Sequence, residues 1–239
     1  MRALKWLAVV ISTYVVIFAS VHALPNDDGV AISATSALPL TAIAESRSDA
    51  WDSNPATVRY RLDASRSKFI AHALAGGLLW FKGHDHLIAV RDFTGEAQLT
   101  PDAIMPASLE IVAKAASMEE TSSVFTEPQK QIINKELREI VLLPDQYPDI
   151  VFRSTNVTGK SISAGQYDLK IAGNLTLLGV TRPITIPTKV IVSGNELRAQ
   201  GEFSIDRGDF KVKATSAMHG LIRVRNKVKF EFDIVGLRE

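Results

Sequence analysis

The sequence predicts an all-β fold, an eight-stranded antiparallel barrel with one short amphipathic helix. Apolar and polar residues alternate with period two in a series of short runs, the mark of strands with one buried face. Gly, Pro, Asn and Asp separate the runs at the spacing of a meander. Helical spacing occurs in one segment only, so the crossover helices that a parallel sheet needs are missing. Closure into a barrel suits such strands because it removes unpaired edges. An eight-stranded barrel is just wide enough to fill with side chains or to hold a small elongated ligand, so function turns on the interior.

The barrel domain is expected over residues 57–239. Val58–Leu62 is a strand ended by Asp63-Ala64-Ser65, and Lys68–Leu74 is a second, bounded by Gly76-Gly77. Leu78–Lys82, Leu87–Phe93, Gly95–Leu99 and Ser108–Ala113 add short strands. Glu119-Glu120 reads as a solvated loop. Thr126 and Gln129 match a capping box, with Pro128 in the first turn. Ile133, Leu137, Ile140 and Val141 then form a helical stripe that Pro144 stops. That stripe packs on the barrel or serves as a lid over a ligand mouth.

Ile150–Val157 and Tyr167–Leu177 resume the strands. In Gly173–Pro183, Leu175 and Leu177 alternate with Asn174 and Thr176, and Gly179 and Pro183 punctuate before Thr185–Val192. Glu196–Ile205 follows. In the last strand Val228, Phe230, Phe232 and Ile234 share one face, and Lys229, Glu231 and Asp233 share the other.

Two appendages precede the domain. Residues 1–23 read as a signal peptide, with Arg2 and Lys5 before an apolar run and small residues at Val21-His22-Ala23. The alternative is an uncleaved anchor over residues 6–19, which falls short of the roughly 20 apolar residues of a spanning helix. Residues 24–56, rich in Ala, Ser, Thr, Pro and Asp, read as a disordered linker. A periplasmic address follows from the signal reading, and an inner-membrane anchor from the alternative.

Composition narrows the chemistry. The 239 residues include no cysteine, which removes disulfides and thiolate chemistry, and the net charge of +1 gives no global pull toward nucleic acid. Nucleophile-elbow, phosphate-loop, dinucleotide and H-E-x-x-H motifs are absent from the sequence, so no cofactor is expected.

Tyr147-Pro-Asp-Ile-Val-Phe-Arg-Ser154 and Gly173–Pro183, in that order and separation, resemble the signature of the YceI-like family of bacterial envelope proteins. The resemblance covers about Val58–Val235. It implies a lipocalin-like barrel, without catalytic role, whose apolar tunnel binds an amphiphile with a long isoprenoid or alkyl tail. The chain departs from the pattern at Asp209-Phe210-Lys211, where many relatives have a Phe-Gly pair. Phe69, Phe152, Leu175, Leu177, Ile186 and Phe232 are the candidate tunnel residues, with a solid core as the alternative use of the same side chains.

A head group requires polar residues at the mouth, and His72, His84, His86, Arg223 and Arg225 are the candidates. His84 and His86 flank Asp85 in Gly83–His86 and would share one face of a strand, with His72 as a third imidazole. Three such ligands would serve a metal-dependent hydrolase, the enzymatic alternative to a carrier. Arg207, Lys211, Lys213, Arg223, Arg225, Lys227 and Lys229 form a local basic excess suited to a phosphate or an anionic membrane surface, or to a solvated strand face. An envelope interaction or stress-related module is the remaining alternative, and it requires a large exposed apolar patch.

Overall fold

The structure, a computed structural model, describes residues 57–239 apart from 102, 214, 218 and 220. The leader and linker lie outside the described residues. Strands β1 (Val58–Ala73), β2 (Ala75–Gly76), β3 (His86–Val90), β4 (Phe93–Leu99), β5 (Ala107–Lys114) and β6 (Met118–Glu120) precede helix α1 (Glu127–Glu136). Strands β7 (Asp149–Ser163), β8 (Gln166–Leu177), β9 (Val180–Ser193), β10 (Glu196–Asp206), β11 (Ser216–Ala217), β12 (Ile222–Val224) and β13 (Lys227–Arg238) follow.

Eight strands close the barrel in the order β1, β4, β5, β7, β8, β9, β10, β13, and β13 pairs back onto β1 with Phe69 opposite Phe232. All of these pairings are antiparallel. Strands β3 and β6 continue β4 and β5 past local breaks, with Ile70 opposite Ala89 on β3 and Arg61 opposite Glu96 on β4. The break between β3 and β4 follows from Asp92, whose N–H turns to the Ser117 hydroxyl at 3.0 Å. A small sheet of β11, β12 and β2 stands where β1 ends.

Pro183 lies inside β9 instead of marking a turn, which Leu178 and Gly179 make with φ of 49° and 71°. The strand tolerates Pro183 and Pro187 because β10 pairs with β9 only from Thr188 onward. On the flank before Thr188 a missing N–H leaves no ladder bond unmade.

Further sequence expectations are corrected. Val58–Leu62 and Lys68–Leu74 are not two strands parted by a turn but one strand, β1, whose pairing with β13 shifts register between Asp63 and Lys68. Leu78–Lys82 is not a strand. Gly77, at φ 88°, turns the chain away, and Trp80–Lys82 forms a 3₁₀ turn held by Leu79 N–H donating to the Leu221 carbonyl at 3.0 Å. The helical stripe also breaks, because a π-helical turn over Leu137–Leu142 follows α1 and leaves Ile140 exposed while Leu137 and Leu142 are buried. Glu119-Glu120 belongs to β6, and Glu120 is buried. The capping interaction is present, with Thr126 N–H donating to Gln129 Oε1 at 2.8 Å.

After β10, Phe210 is buried and Lys211 takes a left-handed φ of 58°. Glycine adopts that conformation without steric cost.

Candidate functional site

The barrel is not packed solid. Its interior holds a cavity of about 280 Å³. Alternation builds the wall: Phe69, Ala71 and Ala73 of β1, Leu169, Ile171, Leu175 and Leu177 of β8, and Val228, Phe230, Phe232 and Ile234 of β13 all line it. All six residues proposed from the sequence for the tunnel, Phe69, Phe152, Leu175, Leu177, Ile186 and Phe232, border this space.

Aromatic packing shapes the lumen. Phe69 meets Phe93, Phe230 and Phe232 edge-on at centroid distances of 6.4, 6.1 and 6.4 Å, and Phe203 stacks on Phe230 at 4.9 Å. Such contacts lock the rings against one another. Two glycines let further rings lie along the wall. A Cβ on Gly173 would stand 2.5 Å from Cζ of Phe152, and one on Gly201 would stand 2.7 Å from Cζ of Phe232. Glycine in a strand interior commonly marks such a close approach.

These contacts give physical content to the two sequence segments that carry the family resemblance. Phe152 pairs with Leu175 across β7 and β8 and lies over Gly173, while the Tyr147 ring lies 3.1 Å from where a Cβ of Gly179 would be. The segments form one packed corner of the barrel.

Polar groups gather at the ends of the cavity. Gln98 and Ser108 border one end, where β4 finishes and β5 begins. His86, Glu136, Arg207, Lys213 and Thr215 border the other, which Ile133, Leu137, Val141 and Leu142 close from the helical segment. Between them Thr188 is a buried polar side chain of the wall, its hydroxyl donating to the Ile186 carbonyl at 3.2 Å.

The structure divides the histidines proposed from the sequence. His86 Nδ1 lies 2.7 Å from Glu120 Oε2, whose other oxygen accepts from Ser122 N–H at 2.8 Å and Leu87 N–H at 3.1 Å. Burial pushes the Glu120 carboxyl up, but the His86 hydrogen bond and these N–H donors outweigh it and hold the group below the usual carboxylate range. The ionised carboxylate only accepts, so Nδ1 carries the proton. Nε2 has no hydrogen-bond partner among the described residues. His86 also stacks on Phe125 at 5.1 Å, and exposed His84 meets the same ring edge-on at 5.7 Å.

His72 does not join them. Phe69, Ala71 and Ala73 face the cavity, so His72 stands on the outer face, its Nε2 3.4 Å from Glu231 Oε2. Among the described residues no three His, Cys, Asp or Glu side chains gather as a metal site. Asp85 has a structural task, with Oδ1 accepting from Ala75 N–H at 2.8 Å and tying β2 to the loop before β3. Gly83 allows that closeness, since a Cβ there would stand 2.9 Å from the Ile222 side chain and 3.0 Å from the Ala75 methyl.

Arg223 and Arg225 lie outside the lumen, bordering a neighbouring notch with Gly76, Gly77, Trp80, Arg207 and Asn226. Arg207 and Val224 border both spaces. Arg225 Nε donates to the Ala75 carbonyl at 2.9 Å, fixing one edge of its guanidinium. Glu120 is the residue that sequence reading missed, because its partner lies 34 positions away in the chain.

The YceI-like domain model matches residues 60–236, which is most of the chain and nearly all of the closed barrel. The chain belongs to the YceI-like family. Solved structures share the fold of this YceI-like chain. BcnA of Burkholderia cenocepacia superposes with a TM-score of 0.57 at 19% identity, covering 73% of this chain and 98% of its own. A polyisoprenoid-binding domain from Saccharophagus degradans, implicated in plant cell wall breakdown, gives a TM-score of 0.52 at 14% identity, covering 75% and 98%. Comparison with curated proteins finds no match. The YceI-like assignment brings no catalytic role with it.

Proposed function

We propose that this YceI-like chain is a periplasmic carrier that holds an amphiphile by a long isoprenoid or alkyl tail inside the barrel. The observation that carries this reading is the largely apolar cavity inside the barrel, walled by strands, with Thr188 the polar side chain between polar groups gathered near its ends. Each buried methylene contributes about 0.8 kcal/mol, so the wall gains affinity from chain length without directional chemistry. The likeness to a polyisoprenoid-binding domain supports the isoprenoid class. The head group rests at the end bordered by His86, Glu136, Arg207 and Lys213. A neutral His86 offers Nε2 as an acceptor to a hydroxyl there, and a protonated one offers a donor to an oxyanion.

Native mass spectrometry of the protein purified from its own host tests the reading. The expected spectrum contains a complex whose added mass is a long-chain lipid, released on denaturation. A mass equal to the polypeptide alone, with no uptake of added prenyl or alkyl amphiphiles, would overturn it. Recovery in the osmotic-shock fraction supports the periplasmic address, and recovery with inner membranes supports the anchor of residues 6–19.

A further inference from the structure

We propose that the end of the barrel carrying Leu78, Trp80, Phe81 and Leu221 docks on an anionic phospholipid bilayer and takes its cargo from there. The second half of this proposal rests on the carrier reading above. The first half rests on the surface alone.

Large apolar side chains stand exposed on two loops at one end of the molecule. Leu78 is 77% exposed, Trp80 55%, Phe81 63% and Leu221 41%. The Leu79 N–H bond to the Leu221 carbonyl ties the loops together. Gly77 makes the contact close, since a Cβ there would stand 2.5 Å from that carbonyl oxygen. Trp80 and Phe81 meet edge-on at 6.4 Å, so the tip presents two rings fixed against each other. An exposed apolar cluster of this kind marks an interaction site.

Charge identifies the partner. Lys82 lies on the Trp80–Lys82 turn, Arg223 on β12 and Arg225 just after it, while Arg207 borders the notch and Lys213 the cavity from the segment that follows β10. No carboxylate forms an ion pair with any of these five among the described residues. On the barrel wall Lys170, Arg182 and Lys189 are likewise without an ion pair among the described residues, but many bases are matched. There Lys114 pairs with Asp149, Arg153 with Glu110, Arg198 with Asp233 and Lys229 with Glu202. Arg207 and Arg225 donate to the carbonyls of Val212 and Ala75 at 2.9 Å each, which holds their guanidiniums at the rim without neutralising them.

Apolar rings at a tip, with unpaired bases behind them, match the layering of an anionic bilayer surface. Tryptophan sits at the headgroup boundary, and Lys and Arg meet the lipid phosphates. An apolar protein partner would leave the bases desolvated and unpaired. The geometry also serves transfer. Arg207 and Val224 border both the notch beside Trp80 and the cavity, so the docking tip is adjacent to the end of the lumen where a tail would enter.

Vesicle co-sedimentation tests the dock. The full chain as recovered from its host is mixed with phosphatidylcholine vesicles with or without phosphatidylglycerol, at low and high salt. Binding is expected only with phosphatidylglycerol, and added salt weakens it. Trp80→Ala with Phe81→Ala, and separately Lys82→Gln with Arg223→Gln, each lower the affinity by about tenfold or more. Equal binding to both vesicle types overturns the proposal. So does binding that neither pair changes, which places attachment elsewhere, the leader included. Self-association or capture of an acidic protein through this tip, without vesicle binding, overturns it as well. Native mass spectrometry of the wild-type protein, set beside its vesicle binding, separates the two readings. Loaded wild-type protein that ignores vesicles sinks the dock alone, and empty wild-type protein that binds them sinks the carrier alone.

Discussion

His86 Nδ1 stands 2.7 Å from Oε2 of a Glu120 whose side chain is wholly buried, so one edge of the cavity mouth is fixed by a hydrogen-bonded carboxylate. Glu120 also receives the Leu87 and Ser122 N–H groups, and its own N–H donates to Asn134 Oδ1 of α1 at 2.8 Å. The residue thus joins β3, β6 and the helix. Glu120→Ala removes the acceptor for three donors and is expected to cost about 3 kcal/mol. Glu120→Gln keeps one oxygen and costs about 1 kcal/mol. Denaturant midpoints at neutral pH distinguish the two, and equal, negligible losses would show that the cluster contributes nothing to stability.

The same carboxylate sets a pH dependence. Burial raises its pKa, and the His86 and backbone hydrogen bonds lower it by more, so the folded value lies below the unfolded one. A depressed carboxylate contributes stability above its unfolded pKa and loses it as the pH falls through the folded value. Wild-type stability is therefore expected to drop as the pH is lowered through and below the ordinary carboxylate range. Glu120→Gln drops less steeply over that window. Parallel curves for the two proteins would remove Glu120 as the source.

Asp233 provides the contrast. Arg198 binds it through Nε at 2.7 Å and Nη2 at 2.6 Å, and Gln200 adds a third donor at 2.8 Å. The Arg198 hydrogen bond leads the causes that lower its pKa, but the pair is exposed to water. Arg198→Ala is expected to cost less than about 1 kcal/mol, and the loss shrinks in salt. Urea midpoints at low and high ionic strength check both statements.

Gly201 carries a steric requirement. A Cβ there would stand 2.3 Å from the Pro187 carbonyl and 2.7 Å from the Phe232 ring. Gly201→Ala is expected to destabilise by about 1–3 kcal/mol, as overpacking does. Adding Phe232→Leu relieves the ring but not the carbonyl, so the double variant recovers only part of the loss. Full recovery would locate the whole conflict in the ring.

The barrel wall is legible in the sequence because period-two alternation is a property of neighbouring residues, as Val228, Phe230, Phe232 and Ile234 show. What depends on distant residues is not. Leu78, Leu79, Trp80 and Phe81 are good strand formers, and only the lack of a partner strand makes them a tip. In Phe69-Ile70-Ala71 every residue is apolar, so parity gives no sign that His72 faces outward. Glu120 sits among polar residues that look solvated, while its contacts come from β3 and α1. An open lumen and a solid core use the same side chains, and Gly173 and Gly201 under their rings become meaningful only in three dimensions.

Ala199 makes the lumen testable without removing any wall contact. It faces the cavity from β10, opposite Val190 of β9 and Ile234 of β13. A phenyl group there enters existing space, so Ala199→Phe is expected to fold with a denaturant midpoint close to that of the wild type. Excluding even two methylenes of a tail removes about 1.6 kcal/mol, and more are displaced by a ring. Lipid affinity is therefore expected to fall more than about tenfold, since 1.4 kcal/mol corresponds to that factor. Fluorescent-lipid displacement reads the affinity and urea denaturation reads the fold. A folded Ala199→Phe protein with unchanged lipid affinity would show that tails bind outside the lumen, whatever the cavity holds.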